Sequence, residues 1–325
     1  MNKQMACQSL RREFGRPTLA LLIYCGIMNA LVLLVTIPDC VAFAIGAIQT
    51  GIGIEELADA IMNRIASNGW GYILACVIGF VALLIWKKPH FCFVKIWKSD
   101  RSMKFGSFAA LVCIFTSGQA IAQLGTGALE HIYNTFGHSL VESIESATAV
   151  SETLSMFLYV SLLAPVFEEI LFRGLILRSL QPYGKKFAIF ASAYLFGLFH
   201  GNIIQSPYAF LVGLVLGYVT VEYSMGWAMV LHMGNNLILG DLFGRITKFL
   251  PAMAQEWIFL MLIWGCAIAA ILVMIVKWKD LVAYVRAEKM HPWCMESFFS
   301  SKPVIIFTCI MGASILLTLL SPIIE

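Results

Sequence analysis

The sequence predicts an all-α fold, a polytopic membrane helix bundle of about nine transmembrane helices, and three observations carry that prediction. Hydrophobic residues make up 60% of the 325 residues and charged residues 13%, against roughly 45–50% and about 25% in soluble domains. Mean hydropathy is +0.83, and so little charge cannot cover a soluble globule. Apolar runs of about 20 residues, the length that crosses a hydrocarbon core, recur along the chain. The basic residues between these runs then fall on one side. Disordered, collagen-like and secreted disulfide-scaffold classes are excluded on composition. The net charge of +3 gives no argument for nucleic acid as a partner.

In chain order the predicted spans are 18–37, 69–86, 105–124, 151–171, 187–203, 208–223, 226–243, 256–276 and 304–322. The first follows a basic lead (Lys3, Arg11, Arg12, Arg16) but is longer than a signal-peptide core and lacks a nearby cleavage pattern, so it reads as a retained helix. Residues 41–54 are too short and glycine-rich to cross again, and either lie at the interface or prolong the first helix past Pro38. The segment 277–303 is charged and partly amphipathic, which suggests a membrane-surface helix or a linker to the last span.

Orientation follows the positive-inside rule. Nineteen of the 22 Lys and Arg residues fall between spans on the side of the N-terminus, and three fall on the other. The N-terminus is therefore expected in the cytoplasm and the C-terminus outside, in the plasma membrane. Cys92 and Cys294 should then be reachable from the cytosolic face. The nine cysteines form no CxxC pair, so neither a disulfide framework nor a cysteine metal site is indicated. The chain divides into a three-span region with a basic cytosolic loop at 87–104 (residues 1–149), a core (150–245), and C-terminal spans with the cytosolic linker 277–303 (246–325).

Ionisable residues inside hydrocarbon cost several kcal/mol and ask for an explanation. Glu168 and Glu169 are adjacent near the inner end of the fourth span, about 100° apart around a helix. Arg173 follows Glu169 at the i, i+4 spacing of an intrahelical ion pair, which leaves Glu168 to face the bundle interior. Snorkelling to the interface is the plainer reading of both glutamates. Glu168 lies about 15 Å inside Arg178 along a helix, too far for so short a side chain. His200 in the fifth span could be a packed, satisfied histidine. His232 and Asn236, on one face of the seventh span, could be interhelical hydrogen-bond glue, while Asn235 points elsewhere. Gly197, Gly201, Gly213 and Gly217 supply small faces for close helix approach. A carboxylate, two imidazoles and an amide on three such helices suit hydrolysis. A base takes a proton from water, and polar donors hold the oxyanion that forms on the carbonyl.

In order, these residues read Glu168-Glu169-Ile170-Leu171-Phe172-Arg173, Phe196-Gly197-Leu198-Phe199-His200 and His232-Met233-Gly234-Asn235-Asn236. The set resembles the EExxxR, FxxxH and HxxxN pattern of the CPBP (CAAX protease and bacteriocin-processing, or Abi) family of intramembrane endopeptidases. Each motif alone is weak; their order, each on its own span and about 32 residues apart, is specific. The resemblance covers about residues 150–245. It implies a cytosol-facing intramembrane catalytic cavity, Glu168 as general base with His200 beside it on the attacking water, and His232 and Asn236 as oxyanion donors. Glu169 and Arg173 would support the site. The expected substrate is a membrane-anchored protein or peptide within the lipid bilayer.

Glu168, His200 and His232 could instead hold a catalytic zinc with an open position. The chain lacks HExxH, and the residue four after His232 is an amide, so a site with no metal and no other cofactor is the favoured expectation. Two other function classes stand beside the peptidase. A non-proteolytic scaffold or regulatory partner of the same family would show damaged motifs, and these are intact. A proton-coupled transporter would show paired repeats and broken helices in both halves, and neither is evident.

Overall fold

The computed structural model describes residues 3–87, 97, 101–148, 151–287 and 290–324, and no strand occurs among them. This is the expected outcome for a chain whose backbone groups must satisfy one another inside lipid. The helices are α1 (Lys3–Gln49), α2 (Ile54–Ser67), α3 (Trp70–Lys87), α4 (Phe105–Thr135), α5 (Val141–Thr148) and α6 (Leu154–Tyr183). There follow α7 (Lys185–Phe199), α8 (Gln205–Glu222) and α9 (Met225–Gly234). A π-helical stretch, Asn235–Leu242, and a last turn, Phe243–Thr247, continue α9. The chain ends with α10 (Ala252–Val276), α11 (Trp278–Ala287), α12 (Cys294–Phe299) and α13 (Lys302–Ile324).

Among the described residues, six helical stretches are long and apolar enough to cross a membrane: α1, α2 with α3, α4, α6, α10 and α13. The chain is an integral membrane protein, but about nine such helices was the expectation, and the shortfall has a physical reason. The fifth to seventh predicted spans are helical yet short or polar. α7 has 15 residues, because His200 caps it and Gly201 turns the chain out at φ +64, a left-handed conformation that suits glycine. α8 and α9 carry Ser206, His232, Asn235, Asn236 and Asp241. These helices sit inside the bundle and need not present an unbroken apolar surface to lipid. Gly201 thus stops the helix, and it also packs against α13, where an added methyl would stand 3.2 Å from Ser314 Oγ.

Other boundaries also move. α1 runs unbroken through Pro17 and Pro38, so residues 41–49 prolong the first helix. α4 continues to Thr135, well past the predicted end at 124. In the predicted linker, α11 has no buried residue and fits a surface helix. α12 instead tucks Cys294, Ser297 and Phe298 into the interior. The basic loop 87–104 lies largely outside the described residues, and Cys92 entirely so.

The core is built where α6, α7, α8 and α9 meet, around Phe172, Phe187, Leu195, Phe196 and Leu216. α7 and α8 approach most closely. A methyl group on Gly197 would stand 2.8 Å from Phe210 Cβ, and one on Gly213 would stand 3.2 Å from Ala193 Cα and 3.1 Å from Phe196 Cδ1. Long-range hydrogen bonds gather at two ends. One end joins Lys185 to Glu222 (3.0 Å), Lys186 to the Val285 carbonyl (2.6 Å) and Ser301 to the Arg11 carbonyl (3.0 Å). The other joins Ser314 to the Gly201 carbonyl (2.7 Å) and Thr153 to the Ser67 carbonyl (2.6 Å). α7 and α13 therefore both run from the first end to the second.

Candidate active site

Three helices, α6, α7 and α9, position the site, and two of them leave regular α-helical geometry there. α6 is π-helical over Leu158–Leu163 and over Glu169–Leu177, and α9 is continued by the π-helical Asn235–Leu242. Such stretches are uncommon and concentrate at functional sites. The extra residue in each wide turn changes which side chains share a face. Thr153 caps α6 by accepting from the Met156 N–H, and Ser224 caps α9 by accepting from the Trp227 N–H.

The two glutamates have different surroundings. Glu169 is 0% exposed and pairs with Arg173, also 0% exposed, at 3.2 Å; the expected i, i+4 pair is present. Glu169 has a second partner: its Oε1 accepts from His232 Nδ1 at 3.0 Å. Glu168 keeps 14% side-chain exposure, and its Oε2 faces His232 Nε2 at 3.7 Å. A line of facing polar groups therefore runs Arg173–Glu169–His232–Glu168. Glu169 fixes the imidazole by taking its Nδ1–H, a common way of aiming the opposite ring nitrogen. That nitrogen points at Glu168.

His200 is held by its own helix, with Nδ1 2.9 Å from the Phe196 carbonyl. A carbonyl only accepts, so Nδ1 carries the proton and Nε2 is left as the accepting nitrogen of a neutral ring. Phe196 links the two histidines: its ring lies edge-to-face with His200 (4.9 Å between centroids) and with His232 (5.7 Å). Arg173 sits 4.2 Å over the same ring, a cation–π contact that steadies the buried guanidinium beside its ion pair. The phenylalanine of FxxxH is thus the plate against which the polar line is assembled.

Asn236 lies on the same helix as His232, but its amide is already engaged. Nδ2 donates to the Val160 carbonyl in the first π-helical stretch of α6 (3.0 Å), and Oδ1 accepts from Asn235 Nδ2 (3.1 Å). Asn235 was expected to point elsewhere and in fact adjoins it.

Sequence reasoning missed a buried carboxylate five residues on. Asp241 is 1% exposed and accepts from the Ser151 N–H (3.1 Å), the Ser151 hydroxyl (3.1 Å) and the Ser161 hydroxyl. Arg245 stands 3.5 Å away at i, i+4. Asp241 ties the end of α9 to α6, and the Asp-x-x-x-Arg spacing was the available signal.

Among the described residues, no group of three His, Cys, Asp or Glu side chains is gathered to hold a metal ion. An apolar cavity of about 420 Å³ opens between α1, α3 and α6, lined by Ile23, Tyr24, Leu83, Trp86, Phe167 and Leu171. Phe167 places it next to Glu168 in the chain.

Such an arrangement can activate a nucleophile. A carboxylate, an imidazole nitrogen aimed at it by a buried ion pair, and a second neutral imidazole can remove and relay a water proton. Residues 150–238, which hold all of these side chains, match the family model described as type II CAAX prenyl endopeptidase Rce1-like. No curated protein and no solved structure matches the chain. The chain is therefore similar to that family over residues 150–238, the stretch that carries the three motifs.

Proposed function

We propose that the protein is an intramembrane endopeptidase that hydrolyses a peptide bond of a membrane-anchored protein or peptide. The observation that carries this reading is the buried line Arg173–Glu169–His232–Glu168 inside the matched residues 150–238. Glu168 takes a proton from water while the Nε2 lone pair of His200 accepts the water's other hydrogen. The hydroxide attacks the carbonyl carbon, and the oxyanion is held by His232 and Asn236. His232, carrying a proton on each nitrogen, gives Nδ1–H to Glu169 and Nε2–H to the oxyanion. Asn236 gives the N–H that Val160 does not take. Collapse of the tetrahedral intermediate breaks the C–N bond, and Glu168 returns its proton to the departing amine.

The matched family is described as a CAAX prenyl endopeptidase, so a prenylated C-terminal peptide is the first substrate to try. The apolar cavity beside Phe167 supports a lipidated end. The N-terminus is assigned to the cytoplasm and the C-terminus to the outside of the plasma membrane, supported by the one-sided Lys and Arg distribution.

No resident metal takes part in this reading, which is supported by the lack of HExxH in the chain and by the amide, Asn236, four residues after His232. The test is a panel of prenylated, acylated and transmembrane peptides incubated with purified protein before and after metal removal. Cleavage that survives chelation is expected. Stoichiometric zinc, with activity lost on chelation and regained on adding zinc, would reverse the metal assignment. Failure to cut any anchored peptide would remove the peptidase reading.

A further inference from the structure

Asn236 belongs to a chain of side-chain hydrogen bonds that starts outside the three motifs. Gln119 in α4 donates from Nε2 to Tyr208 Oη at 3.0 Å and lies 3.4 Å from Asn235 Oδ1. Tyr208 in α8 donates its hydroxyl to the same Asn235 oxygen at 3.1 Å. Asn235 Nδ2 donates to Asn236 Oδ1 at 3.1 Å, and Asn236 Nδ2 donates to the Val160 carbonyl at 3.0 Å. Four helices contribute: α4, α8, the continuation of α9, and α6.

The chain has a direction. A side-chain amide accepts at one end and donates at the other. With two donors on its oxygen, Asn235 can offer only its NH₂ to Asn236. Asn236 must answer with its oxygen, which turns its own NH₂ toward α6. That NH₂ has two hydrogens, and Val160 takes one. If the amide were reversed, Asn236 would set an oxygen where a donor is needed, and the Val160 carbonyl would face another acceptor.

We propose that Gln119, Tyr208 and Asn235 are positioning residues that set the direction of the Asn236 amide, so that an N–H and not an oxygen meets the oxyanion. This rests on the reading above that Asn236 is an oxyanion donor. Simple interhelical glue would need the same bonds but no particular direction.

Two measurements on full-length protein in detergent or liposomes separate these readings. The first is NMR of ¹⁵N-asparagine side chains, with the Asn236 signal assigned by its loss in Asn236→Ala. Tyr208→Phe combined with Gln119→Leu removes both donors from Asn235, and the Asn236 amide signals should shift although the hydrogen bonds lost are to Asn235 and not to Asn236. Unchanged signals overturn the proposal.

The second is kinetics on a membrane-anchored peptide. The same double variant should lose up to about 100-fold in kcat, the scale of losing one oxyanion donor, with KM within about twofold. On an Asn236→Ala background it should cost nothing more. A kcat loss that persists on that background overturns the proposal. In Asn235→Asp a protonated carboxyl can accept from Tyr208 and donate to Asn236, so this variant should approach wild type at low pH. Its kcat relative to wild type should fall as pH rises and the donor is lost; a flat ratio counts against a directional role. If wild type cuts nothing while the Asn236 signals shift, positioning stands and the peptidase reading is what fails.

Discussion

Glu168 and Glu169 are neighbours in sequence with unlike surroundings. Glu169 is dry, bonded to Arg173 and to His232, and cannot leave without stranding two partners. Removing one member of a buried ion pair costs about 3–5 kcal/mol. Glu169→Ala should therefore lower detergent-solubilised thermal stability sharply, whereas Glu168→Gln should leave it nearly unchanged. Equal stability losses would contradict this division. Exchanging the charges, Glu169→Arg with Arg173→Glu, would be the natural rescue if the pair stood alone. With His232 on the same carboxylate at 3.0 Å, the exchange sets an arginine against the imidazole. The double variant should accumulate no better than the single ones, which a membrane-fraction blot would show.

At the scale of helices, the site depends on how closely α7 and α8 approach. A methyl on Gly197 would meet Phe210 Cβ at 2.8 Å and the Ser206 carbonyl oxygen at 3.0 Å. Neither is the loose end of a flexible side chain, so the helices must separate. Gly197→Ala should cost about 1–3 kcal/mol, the usual price of overpacking, and should reduce cleavage by shifting Phe196. A Gly26→Ala control, with open space around the glycine, should be neutral in the same thermal-unfolding assay. Much of this was legible in the sequence. The i, i+4 spacing disclosed the Glu169–Arg173 pair, and the glycines at 197, 213 and 217 disclosed the close contact. The π-helical stretches were not legible, because an inserted turn residue leaves no hydrophobic period of its own. For that reason the Asn236–Val160 bond and the Asn235–Asn236 contact were invisible to an argument from regular helical spacing.

Across the whole molecule, hydropathy identified a membrane protein, and among the described residues six helical stretches of the nine expected are long and apolar enough to cross a membrane. α7, α8 and α9 lie among the other helices and are too short or too polar to be counted with those six. Charge distribution carried information that hydropathy did not, since bonds from Lys185 and Lys186 and to the Arg11 carbonyl gather at one end of the bundle. Accessibility does not follow from topology alone. Cys294 lies in a segment assigned to the cytosol, yet it is 0% exposed, and burial pushes its thiol up to about 11. At pH 8 it remains a protonated, covered thiol, and a polar maleimide should leave it unmodified from either face until the protein is unfolded. Rapid labelling in the folded state would contradict the docking of α12 against α1 and α7.

The central claim is that Glu168 activates water for attack on a peptide bond inside the bundle. It is tested most directly by cleaving a membrane-anchored peptide in H₂¹⁸O and weighing the products by mass spectrometry. Purified wild-type protein should release two fragments, with one ¹⁸O in the newly formed carboxylate. Folded Glu168→Gln protein of equal thermal stability should release none above background. Wild-type turnover by Glu168→Gln, or wild-type products without ¹⁸O, would contradict the account.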